Sequence, residues 1–219
     1  MKNSLLCAFI CLLLTPAIYA ATPDTNLNLS IQQLQQRWAK IKYQQHSEKQ
    51  QVALFKQLAS DARQLASSNP DSAGALIWEG IILSTTAGVK GGLGALSLIK
   101  EAKVAFEQSL ILDSTAMMGS AYTSLGSLYY QVPGWPIGFG SDKKALQFLK
   151  KGLKINPEGI DSNYFYGDFL IHEGRYHEAL EVLERALQAA PREGRALADE
   201  GRKNEIKIAL KIAKSEIDN

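Results

Sequence analysis

The sequence is poor in the residues on which metal sites and disulfide scaffolds depend. Its 219 residues hold two cysteines and three histidines, too few for a Cys-rich zinc module or a cross-linked framework. Charge of one sign is also lacking. Lys and Arg total 24 against 22 Asp and Glu, so no basic excess points to nucleic acid. Strand-like alternation is missing, which turns attention to helices. With 46% hydrophobic and 21% charged residues, the composition is that of an ordinary globular chain.

The longest apolar run, residues 5–14, is about half of the ~20 residues a membrane span needs. Lys2 precedes it, Thr15-Pro16 breaks it, and Ala17-Ile18-Tyr19-Ala20 offers a small residue at a cut before Ala21. That is the layout of a secretory signal over residues 1–20. Ile18 is an unusual choice three positions from the cut, and an uncleaved anchor is the alternative. Cys7 and Cys11 both fall inside this segment, preceded by Leu6 and Ile10 rather than by the small residue of a lipoprotein signal. Lipidation is therefore not expected. The mature chain is left without cysteine, as suits an oxidising compartment. The expected location is the periplasm, with no stable membrane span after cleavage.

Beyond the signal the chain repeats itself. In Ile160 to Pro191, Gly167 sits in a first helix, Gly174-Arg175-Tyr176 makes a turn, and Ala179, Leu180, Leu183, Ala186 and Leu187 mark a second helix. Leu180, Leu183 and Leu187 recur at helical spacing. Gly174 supplies a helix-ending positive φ, and Pro191 cannot continue a helix. This spacing resembles the tetratricopeptide repeat, a helix–turn–helix unit of about 34 residues. Tyr122, Leu125, Gly126 and Tyr129, then Ala145, Leu149, Gly152 and Pro157, follow the same pattern. Gly80 and Leu83, then Ala102, Phe106 and Ser109, follow it further upstream. The helix stops Pro70, Ser114, Pro157 and Pro191 lie 44, 43 and 34 residues apart, so two repeats are enlarged.

Fold and boundaries follow. The expectation is an all-α, tetratricopeptide-like superhelix of helical hairpins with a concave face. Its parts are an N-terminal helical pair at 21–70, repeats at 71–114, 115–157 and 158–191 within 71–194, and a C-terminal capping helix at 195–219. Leu34, Trp38 and Ile41 form the buried side of the first helix, and Ile206, Leu210, Ala213 and Ile217 the inward stripe of the last. Two enlarged inter-helix loops are expected, Thr86–Gly94 and Val132–Asp142. Their wording, with that of Asp161–Asp168 and Pro191–Arg195, is similar to the T-component family of tripartite ATP-independent periplasmic transporters. That resemblance implies a solute-binding protein as partner, with possible homo-oligomerisation of the component itself. Relatives in that family often carry a lipid anchor, which is not expected of this chain.

Catalytic templates fail. There is no Gly-x-Ser-x-Gly elbow, and the glycines at 91–94 lack the Lys-Ser/Thr of a phosphate loop. His172 and His177 with Glu173 and Glu178 lack a third strong ligand, so no metal and no cofactor is expected. His46 stands among Gln and Lys and reads as solvated. Asp161 and Asp168, two turns apart, are too distant for a coupled acid–base pair. A helix cap suits Asp161, and a polar contact suits Asp168. The loop with Trp135, Ile137 and Phe139 either plugs the concave face or presents apolar anchors to a partner. Tyr164 and Tyr166 offer hydroxyls to a pocket. Arg192, Arg195 and Arg202 either hold a carboxylate of a substrate or partner or pair with Glu193, Asp199, Glu200 and Glu205. The leading expectation is a non-enzymatic protein-interaction scaffold. The rival is a carrier of a small apolar ligand or organic acid beneath the 132–142 loop.

Overall fold

The structure, a computed structural model, describes residues 23–45 and 47–218; residues 1–20, read above as a signal, with Cys7 and Cys11, and His46 lie outside the described residues. These form helices α1 (Pro23–Gln44), α2 (Glu48–Ser68), α3 (Ala73–Lys90), α4 (Leu93–Leu112), α5 (Ala116–Gln131), α6 (Asp142–Ile155), α7 (Ile160–His172), α8 (Tyr176–Leu187) and α9 (Ala196–Ile217). No strand occurs among the described residues. The chain is all-α. No described helix is long and apolar enough to cross a membrane.

Small residues explain why α3/α4, α5/α6 and α7/α8 pair as hairpins. A Cβ added at Gly80 would lie 2.6 Å from the Phe106 ring, one at Gly126 2.5 Å from Leu149 Cγ, and one at Gly167 2.6 Å from Leu183 Cγ. Each first helix thus uses a glycine to admit the large residue of its second helix. Phe106, Leu125, Leu149 and Leu183 are fully buried there. Local chemistry sets the boundaries. Ser72 and Ser141 accept from the backbone N–H groups of Ala75 and Lys144, capping α3 and α6. Gly174, at φ +70°, turns the chain between α7 and α8.

One of the two enlarged loops has a different form from that expected. Residues 86–90 are helical, and α3 joins α4 through Gly91 and Gly92 alone, both in the left-handed region. The added length goes into helix: α3 and α4 have 18 and 20 residues, against 13 and 12 in α7 and α8. Gly88 does not break α3, because the preceding Thr86 and Ala87 are buried and their tertiary packing covers its cost. The other loop, between α5 and α6, is a true loop.

The odd-numbered helices form the inner layer. They touch in order, α1 on α3, α3 on α5, α5 on α7 and α7 on α9, and α9 returns to α1. The superhelix therefore closes into a ring, with α2, α6 and α8 outside it and α4 reaching its inner side through Ala95, Leu96 and Ile99. At the closure a Cβ on Gly201 would lie 2.5 Å from the Tyr43 ring, Tyr43 Oη donates to Glu205 at 3.4 Å, and Lys42 pairs with Glu205 at 3.0 Å. The last helix is thus both a cap on α8 and the element that shuts the ring.

Candidate functional site: a chamber inside the helical ring

The ring surrounds a half-open cavity of about 1340 Å³, lined by α1, α3, α4, α5, α7 and α9 together with parts of the α5–α6, α6–α7 and α8–α9 connections. Its two ends differ in chemistry. Ile81, Val89, Leu96, Ile99 and Leu128 give one end an aliphatic wall, while Lys42, Arg192, Arg195 and Arg202 gather at the other. Along α3, Trp78, Ile81, Thr85 and Val89 recur at helical spacing and carry the wall from the basic end to the apolar end. At the start of α5, Met117 and Met118 line the chamber, and these two with Gly119 are left-handed, at φ 48°, 57° and 73°.

Aromatic rings floor the basic end. Trp38 meets Trp78 edge-on at 6.0 Å and Tyr43 at 5.8 Å, and its indole N–H donates to Thr85 Oγ1 at 3.0 Å. Lys42 lies over the Trp38 and Tyr43 rings, and the Arg195 guanidinium stacks 5.0 Å from the Trp78 centroid. Arg202 covers Tyr164 and Phe165 at 4.3 and 4.7 Å. Burial, opposed by Arg202, pushes the Tyr164 hydroxyl up to about 12.

Most of these cations are paired. Arg202 Nε donates to Asp161 at 2.7 Å and its Nη1 to Glu205 at 2.5 Å. Arg192 bridges Asp161 at 2.6 Å and Asp199 at 2.6 Å. Burial alone would raise the Asp161 carboxyl, but Arg202 and then Arg192 outweigh it and hold the group well below the usual carboxylate range. Arg195 is the exception. It makes no ion pair among the described residues, and its buried Nε has no hydrogen-bond partner. Burial, then Arg192, pull its guanidinium below its ordinary value, because both disfavour the charge.

The residues singled out from sequence are spread over more than one place. Arg192, Arg195, Tyr164 and Ile137 line the chamber. Tyr166 is half-buried against the hydrophobic core and lies outside that lining. Phe139 is half-buried, edge-on to Tyr129 at 5.4 Å and beneath Lys103. Trp135 points away from the chamber and is 90% exposed, and Ile137 is 67% exposed. The loop's largest side chain therefore faces solvent, while Val132, Pro133 and Ile137 of the same loop form part of the chamber wall. Backbone bonds hold its shape, with Gly138 N–H donating to Gly134, Gly140 N–H to Pro133 and Ser141 N–H to Tyr129.

Other expectations change in detail. Asp161 does not cap α7; Gly159 holds that position, and the carboxylate turns to two arginines from the C-terminal part of the chain. Asp168 accepts from Tyr130 Oη at 2.5 Å, the polar contact expected of it. A third ligand group does stand beside His172 and Glu173, namely the Asp142 carboxylate from the start of α6, and His177 is not part of that group. All three are exposed. Lys42, Trp38 and Trp78 belong to the chamber but carried no functional signal in the sequence, where Trp38 read as plain core.

A closed stack of helical hairpins around a chamber defines a helical-repeat protein. The tetratricopeptide repeat family model matches residues 143–199, so this segment is a tetratricopeptide-repeat region. A thermophilic tetratricopeptide repeat protein from Thermus thermophilus shares the fold, with a TM-score of 0.57 over 87% of each chain at 17% identity. A crystal structure of MamA matches with a TM-score of 0.45 over 78% of this chain and 92% of its own, at 18% identity. No curated protein matches the sequence.

Proposed function

We propose that this protein is a non-enzymatic, exported interaction scaffold that docks another protein through the α5–α6 loop. The observation that carries the reading is Trp135, 90% exposed on a loop whose backbone is pinned at both ends. A rigid loop offering Trp135 and Ile137 has the chemistry of a binding hot spot, since large apolar surface is presented with little ordering left to lose. The signal-like residues 1–20 support a periplasmic location. Loop wording akin to that of the T-components of tripartite ATP-independent periplasmic transporters supports a solute-binding protein as partner. A photoreactive residue at position 137 in living cells tests this. A solute-binding protein in the adduct, lost in Trp135→Ala, is the expected result. An adduct with a second copy of this chain alone, or none, overturns it.

The chamber favours a second activity beside docking, carriage of a small apolar ligand or organic acid. Ligand sites are concave, largely apolar and supplied with a few placed polar groups, and about 300–1,000 Å³ is usual. Native mass spectrometry of the purified protein checks for a co-purifying molecule. A bare spectrum with no response to lipid or organic-acid libraries sinks this reading.

A further inference from the structure

Four cations gather at the basic end of the chamber and, among the described residues, three of them are ion-paired, while the exposed Glu158 on the same lining pairs with none of them. Lys42, Arg192 and Arg202 are paired with Asp161, Asp199 and Glu205. Arg195 is left over. It sits on the cavity wall with its plane supported by Trp78, and its Nε–H is withdrawn from water without an acceptor. Leaving a buried donor of a charged group unmet is costly, and native structures seldom do so without reason. A guanidinium fixed by stacking offers a planar fork that matches a carboxylate. The apolar wall starts beside it, since Ile81 lies one turn of α3 beyond Trp78 and Val89 a further two turns on.

We propose that Arg195 receives the carboxylate of an amphipathic organic acid, a monoanion whose hydrocarbon tail lies along the α3 wall from Trp78 towards Ile99 and Leu128. This deepens the carrier reading and rests on it. One unpaired guanidinium suits one negative charge. A phosphate dianion would leave net negative charge in a partly buried site. The neighbouring Asp161 and Glu205 carboxylates, already engaged, exclude a second acidic group on the ligand near the same end.

Dodecanoate and dodecanol are the probes, titrated into the full chain with Trp fluorescence as readout, because Trp78 lies directly beneath the guanidinium. Dodecanoate is expected to bind saturably and change the emission, and dodecanol to bind at least tenfold more weakly. Arg195→Gln should weaken dodecanoate tenfold or more and leave dodecanol unchanged. Arg195→Lys, which keeps the charge but not the fork, should fall between. Because Arg195 makes no ion pair among the described residues, both variants are expected to keep the wild-type unfolding midpoint. Equal binding of acid and alcohol, or an Arg195→Gln protein that still binds dodecanoate as wild type does, overturns the site and leaves the carrier reading standing. Failure of both probes to bind removes the two together.

Discussion

Tyr43 and Gly201, 158 residues apart in sequence, touch where α1 meets α9, and the missing side chain at 201 is what lets the Tyr43 ring lie against the last helix. A Cβ there would stand 2.5 Å from three atoms of the ring. The ring sits between Trp38 and Lys42, so it has little room to withdraw. Gly201→Ala should therefore cost about 1–3 kcal/mol by overpacking, although alanine is the better helix former. Urea unfolding measures the loss. Small-angle scattering should show an expanded particle as the ring opens; a variant as stable and compact as wild type would mean that the closure does not depend on this approach.

The hairpins were legible in the sequence because a repeat is a local signal. Gly126 with Leu149, and Gly167 with Leu183, lie within one helix–turn–helix unit and recur with the period of the chain. The ring closure is not local. Nothing near Tyr43 marks it as the partner of Gly201, and nothing in the sequence sets Lys42 apart from the other lysines. The same holds for Asp161, whose place in a first helical turn suggested a cap, whereas Arg192, in the connection between α8 and α9, and Arg202, within α9, reach it from far along the chain. The segment 86–94 misled for a different reason. Its glycines mark a turn, but only Gly91 and Gly92 take the left-handed backbone that a turn uses.

Two glycines separate packing from backbone effects. At Gly126 an added Cβ would meet Leu149 Cγ at 2.5 Å and the Leu149 backbone nitrogen at 3.0 Å. The backbone cannot yield without parting α5 from α6. Gly126→Ala should lose about 2–3 kcal/mol. At Gly88, inside α3, an added Cβ meets nothing within 4 Å, and Gly88→Ala should gain about 0.5–1 kcal/mol from helix propensity. Denaturant midpoints of the two variants should move in opposite directions. A shared direction would mean that the hairpin contact is looser than these distances.

Asp161 sets an acid limit on stability. Its folded carboxyl titrates below the ordinary value of about 4, so it binds its proton more weakly in the folded chain than in the unfolded one. The stability it contributes is therefore complete above that ordinary value and is lost as pH falls towards the depressed folded value. Asp161→Asn should cost about 2–3 kcal/mol at neutral pH, less than severing a lone buried pair, because Glu205 still accepts from Arg202. Below pH ~4 the difference from wild type should shrink as the native carboxylate takes up its proton. Urea midpoints across pH 2–7 provide the check. A gap that stays constant with pH would assign the loss to shape rather than charge.

Met118 offers a gain rather than a loss. It lies in the left-handed region at φ 57°, ψ 40°, in the first turn of α5, and its side chain is 61% exposed. A non-glycine residue pays about 1–2 kcal/mol for that conformation, and an exposed side chain returns little of it through packing. Glycine adopts the same backbone without the steric cost, though it has more freedom to lose on folding. Met118→Gly should then leave stability unchanged or raise it by up to about 1 kcal/mol. Met117 is the control. It shares the left-handed backbone but packs against the core cluster, so Met117→Gly trades lost contacts against relieved strain and should destabilise. Thermal unfolding of the two variants side by side decides whether the strain or the side chain dominates at this corner of the chamber.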